Sequence, residues 1–354
     1  MTDHGLVLSS LCVREAEDPA WLAFVESQPD ATVFHHPAWS RVLAQAYGYR
    51  PLAITKSDAR GRVVAGLPVV DHPRSGGRHL VGLPFTDYCP PLARSPADLE
   101  SLTRALLDWH RKTPASKIIV HGPLTAARGI HLVARAVRHV LPLGRPSAEV
   151  LQSIKGGQVP RAIRKAQREG LRARISRSPA DLDTFYRLHL QTRRRLGVPV
   201  QPKRFLESIW DTIIARDLGF VVFADRDSEP VAAALFLTWN GTIIYKFGAS
   251  DHRYWQLRPN NLVMWTAIEW ACAGGYDRLD LGRSDLDNRG LRDFKSRWGS
   301  TEVPLVYSYV AAAPPSPAPK LAMRAMARVI QSSPPVMCRA IGEVLYGRVA
   351  GNLA

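Results

Sequence analysis

The sequence lacks the spacings that hold a metal. Its four cysteines, Cys12, Cys89, Cys272 and Cys338, lie far apart, and neither a CxxC nor an HExxH occurs. His35-His36 has no third ligand nearby in the sequence. A reduced protein with no metal and no bound cofactor is the expectation. No apolar run approaches the roughly 20 residues that cross a bilayer. The opening residues, MTDHGLVLSSLCVREAEDP, have no basic region followed by an apolar core, and they carry Asp3, Arg14 and Glu15. No secretory leader is expected, and a cytoplasmic setting is. In that setting Asn240-Gly241-Thr242 is a turn signal, not a glycosylation site. The chain has no GxSxG elbow and no cysteine with an obvious histidine partner, so a covalent nucleophile is not expected. Acids are scarce too: 31 Asp and Glu against 47 Lys and Arg leave a net charge of +16. That excess suits a polyanion such as tRNA, a nucleotide-linked substrate or an anionic membrane face. The plain alternative is an arginine-rich composition without a polyanionic partner.

What is present is the balance of a folded protein, with 46% hydrophobic and 22% charged residues. A chain of 354 residues can hold two domains. Residues 1–145 read as one mixed α/β unit. Strands are expected at Leu6–Val13, Ala53–Thr55, Val63–Val70 and Lys117–Val120, and helices at Trp21–Ser27, Ala38–Tyr47 and Leu99–Arg111. Gly82–Pro91 holds too much proline for a central strand and is expected as a shaped loop.

Residues 146–312 read as a second unit. A basic helix spans about 160–169 and a strand Leu171–Ile175. Ser178-Pro179 caps a helix ending near Leu196, and a further helix covers about 202–216. Three β-rich runs follow at Phe220–Ala224, Val231–Trp239 and Thr242–Phe247, the last two joined by Asn240-Gly241, a strong hairpin signal. A nearly all-apolar helix covers about 261–273. A strand at Arg278–Leu281, a short helix at Leu291–Arg297 and a strand at Leu305–Val310 complete the order β-α-α-β-β-β-α-β-α-β. Residues 313–354 form a Pro-rich linker, within AAAPPSPAP at 311–319, and a basic amphipathic helical tail with Arg328, Arg339, Arg348 and one acid, Glu343. The tail either packs back on a domain or lies on an anionic membrane.

Leu279–Gly299, LDLGRSDLDNRGLRDFKSRWG, joins an Asp-x-Gly-Arg-Ser turn after a strand to Gly-Leu-x-x-Phe-Lys-x-x-Trp-Gly. With Tyr245–Asp277, Arg161–Leu171 and Pro304–Tyr309, it resembles the FemAB superfamily and its acyltransferase relatives. FHHPAWSRVLAQAYGY and LPFTDYCPPL extend the resemblance loosely into the first unit. It implies an α/β (α+β) fold of two tandem GNAT-like domains with mixed central sheets sharing a cleft. It also implies an N-acyltransferase that makes an amide, drawing on aminoacyl-tRNA or acyl-CoA and acting on an amine of a small molecule, peptide or cell-envelope precursor. Gly282-Arg283-Ser284 stands where bridge-forming members tend to have Gly-Gly, which speaks against a peptidoglycan acceptor. A catalytically inactive, polyanion-binding relative is the alternative.

Amide formation from an activated donor needs a held carbonyl, a neutral amine and a charge opposing the oxyanion. Lys295, the motif lysine, is the candidate for that charge, against a solvated helix lysine. Arg283 is expected just past a strand end, either on a ligand or salt-bridged to Asp280, Asp285 or Asp287. Asp251, and Asp87 with Tyr88 in the proline-rich loop, are candidates to meet the amine, and Tyr245 to line the site. Arg258, Asn260 and Asn261 occupy the place of the GNAT pyrophosphate loop at a helix N-terminus, where an anion is favoured. Pro259 and the missing glycines make CoA a poorer fit there, which tilts the donor towards aminoacyl-tRNA. Arg161, Arg164 and Lys165, followed by Arg168, share a helix face and are candidates for phosphate. His189 falls on an apolar helix face, as a core or cleft-edge residue rather than a base. Glu269, the lone acid of the apolar helix, is expected to cap or hydrogen-bond.

Overall fold

The structure, a computed structural model, describes residues 11–74, 77–113, 117–154, 156–314 and 320–348. Residues 6–10 of the first expected strand and 315–319 of the expected linker lie outside it. The chain divides into two compact units: Met1–Arg135 with Leu305–Pro317 and Arg348–Ala354, and Ala136–Pro304 with Ala318–Gly347.

The first unit contains strands β1 (Cys12–Glu15), β2 (Arg50–Ser57), β3 (Val63–Arg74), β4 (Gly77–Gly82), β5 (Leu92–Ala93) and β6 (Lys117–Val120), and helices α1 (Pro19–Glu26), α2 (Pro37–Tyr47) and α3 (Pro96–Lys112). β1 to β4 form an antiparallel meander, and β4 then pairs parallel with β6. Ser95 starts α3 by accepting from the Asp98 N–H, with Pro96 at the first turn. The helix then buries Leu102, Leu106 and Trp109 against Ile54, Leu67 and Ile118. The proline-rich loop is shaped as expected. His35 Nε2 donates to the Pro90 carbonyl at 2.8 Å, and the Trp39 indole donates to Thr86 Oγ1 at 2.9 Å.

A strand not foreseen, β7 (Ile130–Pro142), leads into the second unit. There follow α4 (Ser147–Ser153), also unforeseen, α5 (Gln158–Arg168), β8 (Arg172–Ser176), α6 (Leu182–Leu196) and α7 (Lys203–Thr212). Next come β9 (Gly219–Arg226), β10 (Glu229–Trp239), β11 (Thr242–Ser250), α8 (Pro259–Ala273), β12 (Arg278–Asp285), α9 (Arg289–Ser296) and β13 (Thr301–Val310). The strand order within the unit is β7-β12-β11-β10-β9-β8. Residues 219–224 of β9 are all buried, so both faces of the sheet are covered. Asn240 and Gly241 both take positive φ, 49° and 69°, which fits the tight turn joining β10 to β11.

Two irregularities interrupt the sheet. Lys246 is an extra residue in β11, a bulge opposite Leu235 and Phe236. β11 and β12 run parallel and pair only from Thr242–Arg278 to Ile244–Asp280. Beyond that register the two strands part, and Tyr245–Gly248 are half-buried between buried ends. β12 itself bulges between Asp280 and Arg283 and then continues, with Arg283 paired to Arg138 of β7. Arg283 therefore lies inside a strand and not in the turn expected after one, because the bulge at Leu281-Gly282, with Gly282 at φ 72°, absorbs the bend.

The tail forms α10 (Lys320–Ser332) and α11 (Pro335–Arg348), and both dock on the second unit. Arg194 Nε donates to the Ser333 carbonyl at 2.7 Å, Tyr346 Oη donates to the Pro199 carbonyl at 3.0 Å, and Arg204 pairs with Glu343. At Gly342 an added Cβ would lie 2.0 Å from the Val200 carbonyl oxygen. Gly342→Ala therefore undocks α11 although alanine is the better helix former. The expected sign is trypsin cleavage after Arg339 at least tenfold faster than in the parent chain, where the docked helix holds the bond out of the extended form a protease needs; equal cleavage would show that the contact yields.

Candidate functional site

A cavity of about 620 Å³ opens in the second unit between the start of α5, the start of α8 and the end of α9. Gly156 and Gly157, with φ of 83° and 65°, turn the chain into α5, which buries Val159, Ile163 and Ala166 against α8. That packing turns Arg161, Ala162 and Lys165 towards the cavity. From the other side come Arg258, Pro259, Asn260 and Asn261, and α9 adds Phe294 and Arg297. Gln158, Val159 and Trp255 complete the lining, which includes no acid.

The electrostatics follow from what these groups do not touch. Among the described residues none of Arg161, Lys165, Arg258 and Arg297 makes an ion pair, whereas Arg174, Arg253, Arg283 and Arg292 of the same unit are paired with carboxylates. α8 opens without a side-chain cap, so its first-turn N–H groups and its dipole face the same space. Its N-cap, Arg258, sits in the left-handed region at φ 63°, ψ 40°, where a non-glycine residue stores roughly 1 kcal/mol of strain. Four cations with no ion pair among the described residues, beside a helix N-terminus with no side-chain cap, have the charge that suits phosphate or another anion.

Residues 156–296 match the family model described as an acetyltransferase (GNAT) domain. They form a GNAT acyltransferase domain. All the cavity residues except Arg297 fall within this domain, and Arg297 follows it directly. No curated protein sequence matches the chain. Among solved structures the chain is similar to FemX, at 16% identity with a TM-score of 0.63, covering 82% of this chain and 95% of that one. It is also similar to L-PGS from Bacillus licheniformis, at 12% identity and TM-score 0.55 over 94% and 99% of the two chains. A tandem GNAT protein from the clavulanic acid biosynthesis pathway aligns at 12% identity and TM-score 0.50 over 86% and 100%. These likenesses show the fold, which is FemAB-like and of the tandem GNAT type.

Of the residues singled out from the sequence, Arg161, Lys165, Arg258, Asn260 and Asn261 come together around the cavity of the GNAT domain. Arg164 and Arg168, on the same helix, are exposed and do not line it. Lys295 is only 3% exposed, and its ammonium donates to the carbonyls of Gly282, at 2.9 Å, and Arg283, at 2.8 Å. It clasps the bulge of β12 and is not among the lining residues. Arg283 is bound to Asp285 at 2.8 Å, one of the partners foreseen for it. Asp251 is an N-cap and not a free base: it accepts from the Arg253 N–H and binds the Arg253 guanidinium at 2.6 Å, which holds its carboxyl below the usual range. Tyr245 packs on Phe236, and burial raises its hydroxyl to about 12. Asp87 and Tyr88 belong to the first unit, where the Asp87 carbonyl accepts from Tyr307 Oη at 2.8 Å. Glu269 lies on the exposed face of α8, its carboxyl raised by partial desolvation.

Trp255, Phe294 and Arg297 were not singled out beforehand. The signal for Trp255 was an aromatic four residues before the helix-starting Pro259; for Arg297 it was a second cation beside the more conspicuous Lys295.

His189 is a core residue. Its Nε2 meets Gln201 Oε1 at 2.8 Å, its ring stacks near Phe185, and burial lowers its pKa from 6.5 to about 3. His35, between Thr32 and Pro90, is likewise lowered to about 4 by burial. Both are neutral in the fold and take up a proton on unfolding near 6.5, so the unfolded state binds more protons and stability falls as pH drops below that value. At pH 5, about 1.5 units lower, each histidine removes about 2 kcal/mol from the stability of its own unit. Urea unfolding at pH 7.5 and pH 5 measures this; equal midpoints would contradict it.

Proposed function

We propose that the GNAT domain joins an acyl or aminoacyl group to an amine, drawing it from an activated donor whose phosphates sit in the cavity between α5 and α8. One observation carries this reading: four cations without ion pairs converge with an uncapped helix N-terminus on about 620 Å³ of space. That is room and charge for the carrier end of a phosphate-bearing donor. In the direct reaction the amine nitrogen bonds to the donor carbonyl carbon as the bond to sulfur or ester oxygen breaks. The amine's surplus proton ends on the released thiol or hydroxyl.

Aminoacyl-tRNA is the donor that the charge favours. Arg164 and Arg168 prolong the positive face of α5 beyond the cavity, further than the few phosphates of CoA require. FemX and L-PGS are similar to this chain in fold alone. Peripheral contact with an anionic bilayer is a second partner reading. Met326, Val329, Val336, Met337 and Val344 stay exposed on the docked tail, beside exposed Arg328 and Arg339. Pelleting with phosphatidylglycerol vesicles is expected to fall at least fivefold for Val329→Asp/Val336→Asp; equal pelleting removes the membrane reading.

Incubating the protein with charged tRNA, or with a panel of acyl-CoA thioesters, and with amines ranging from amino sugars to amino-phospholipids tests the function by mass. A new amide dependent on one donor class supports it. Donor binding without any product would favour an inactive binder.

A further inference from the structure

Trp255 is 44% exposed, yet it is held rigidly. Its indole N–H donates to Ser250 Oγ at 2.9 Å. Ser250 is itself fixed by Thr192, whose hydroxyl accepts from the Ser250 N–H at 2.9 Å and donates to the Ser250 carbonyl at 3.2 Å. The Arg195 guanidinium lies 4.3 Å from the indole centroid and donates to the same carbonyl at 3.2 Å. Asn260, at the mouth of α8, reaches the same serine hydroxyl at 3.4 Å. A large apolar ring that only completes a fold is normally covered. Here the surroundings fix the plane of the ring and leave it on the wall of the cavity that holds the unpaired cations.

We propose that Trp255 is the stacking platform for an adenine of the donor, one face of the indole resting on Arg195 and the other receiving the base. The inference rests on reading the cavity as the donor site and adds which part of the donor lies where. A flat π-face beside phosphate-binding groups fits a nucleotide, since every base offers a π-face and stacking tolerates variation in the rest of the ligand. Two donors carry the required chemistry, an adenosine close to phosphate: coenzyme A, and the 3′ end of a tRNA. Arg195 makes the platform stiffer and more polarised, so less order is lost when the base arrives.

Titration calorimetry on the full chain tests this with 5′-AMP and ribose 5-phosphate, which share a phosphate and differ in the base. AMP is expected to bind roughly tenfold more tightly. Trp255→Leu is expected to bring AMP down to the affinity of ribose 5-phosphate and leave the latter unchanged. Trp255→Tyr, which keeps a ring but loses the indole bond to Ser250, is expected to retain the preference. Equal binding of the two probes by the unaltered protein overturns the platform while the anion cavity stands; binding of neither overturns both. Coenzyme A and the 5′-phosphorylated CCA trinucleotide form the remaining arms. The one weakened by Trp255→Leu names the source of the adenine, and weakening of neither overturns the proposal.

Discussion

Arg161→Glu/Arg297→Glu is expected to lower donor affinity at least about 100-fold while leaving the fold intact. Each arginine lines the cavity and has no carboxylate partner among the described residues, so neither contributes an ion pair to stability. A charge-assisted bond to phosphate is worth about 1.5–3 kcal/mol, and reversal adds repulsion to its loss. Two such changes exceed the roughly 2.8 kcal/mol that corresponds to two decades. Arg168→Glu makes the informative companion, because Arg168 lies on the same helix but outside the cavity. With aminoacyl-tRNA as the donor it is expected to weaken binding, since a tRNA backbone would extend beyond the cavity, and with acyl-CoA it is expected to change nothing. Unchanged donor affinity in the double variant would remove the cavity from the account.

Lys295→Met is expected to destabilise the second unit by about 2–4 kcal/mol. The buried ammonium makes hydrogen bonds to two carbonyls of the β12 bulge, and methionine fills much of the space but leaves both acceptors unmatched. The neighbourhood sharpens the effect. Buried His139 is held below its usual pKa by burial and by the Lys295 charge, and its Nε2 lies 3.6 Å from Glu302, which Arg292 binds at 2.7 Å. A urea midpoint lowered in proportion supports the clasp. A variant of normal stability that loses roughly 100-fold in rate would place the ammonium on the oxyanion, the role expected from the motif.

How far these roles could be read from the sequence depended on how local their causes are. The β10–β11 turn was legible because Asn240 and Gly241 alone supply two positive φ angles. α3 was legible from its helical periodicity, and α8 from a nearly all-apolar run that stops at Gly274-Gly275. Arg161 and Lys165 were legible as a pair because a spacing of four residues puts both on one helix face, and the same geometry carries Arg164 away from the cavity. β7 was hidden because arginine and histidine interrupt its apolar alternation, and its pairing with β12 spans well over 100 residues of sequence. The clasp of Lys295 was hidden for a related reason: its partners are main-chain oxygens 12 and 13 residues upstream, which no side-chain pattern announces. Asp251 was misleading because an acid near a ligand loop and an N-cap begin with the same residue, and only the placement of Arg253 decides between them.

Lys165 offers the most direct measurement of the central claim, since it lines the cavity and can be labelled by an amine-reactive acetylating reagent. Its labelling rate, read by peptide mass, is expected to fall at least tenfold when saturating aminoacyl-tRNA or acyl-CoA is present, while exposed Lys112 of the first unit labels as before. Undiminished labelling of Lys165 under a donor that the enzyme consumes would place donor binding elsewhere and contradict the account.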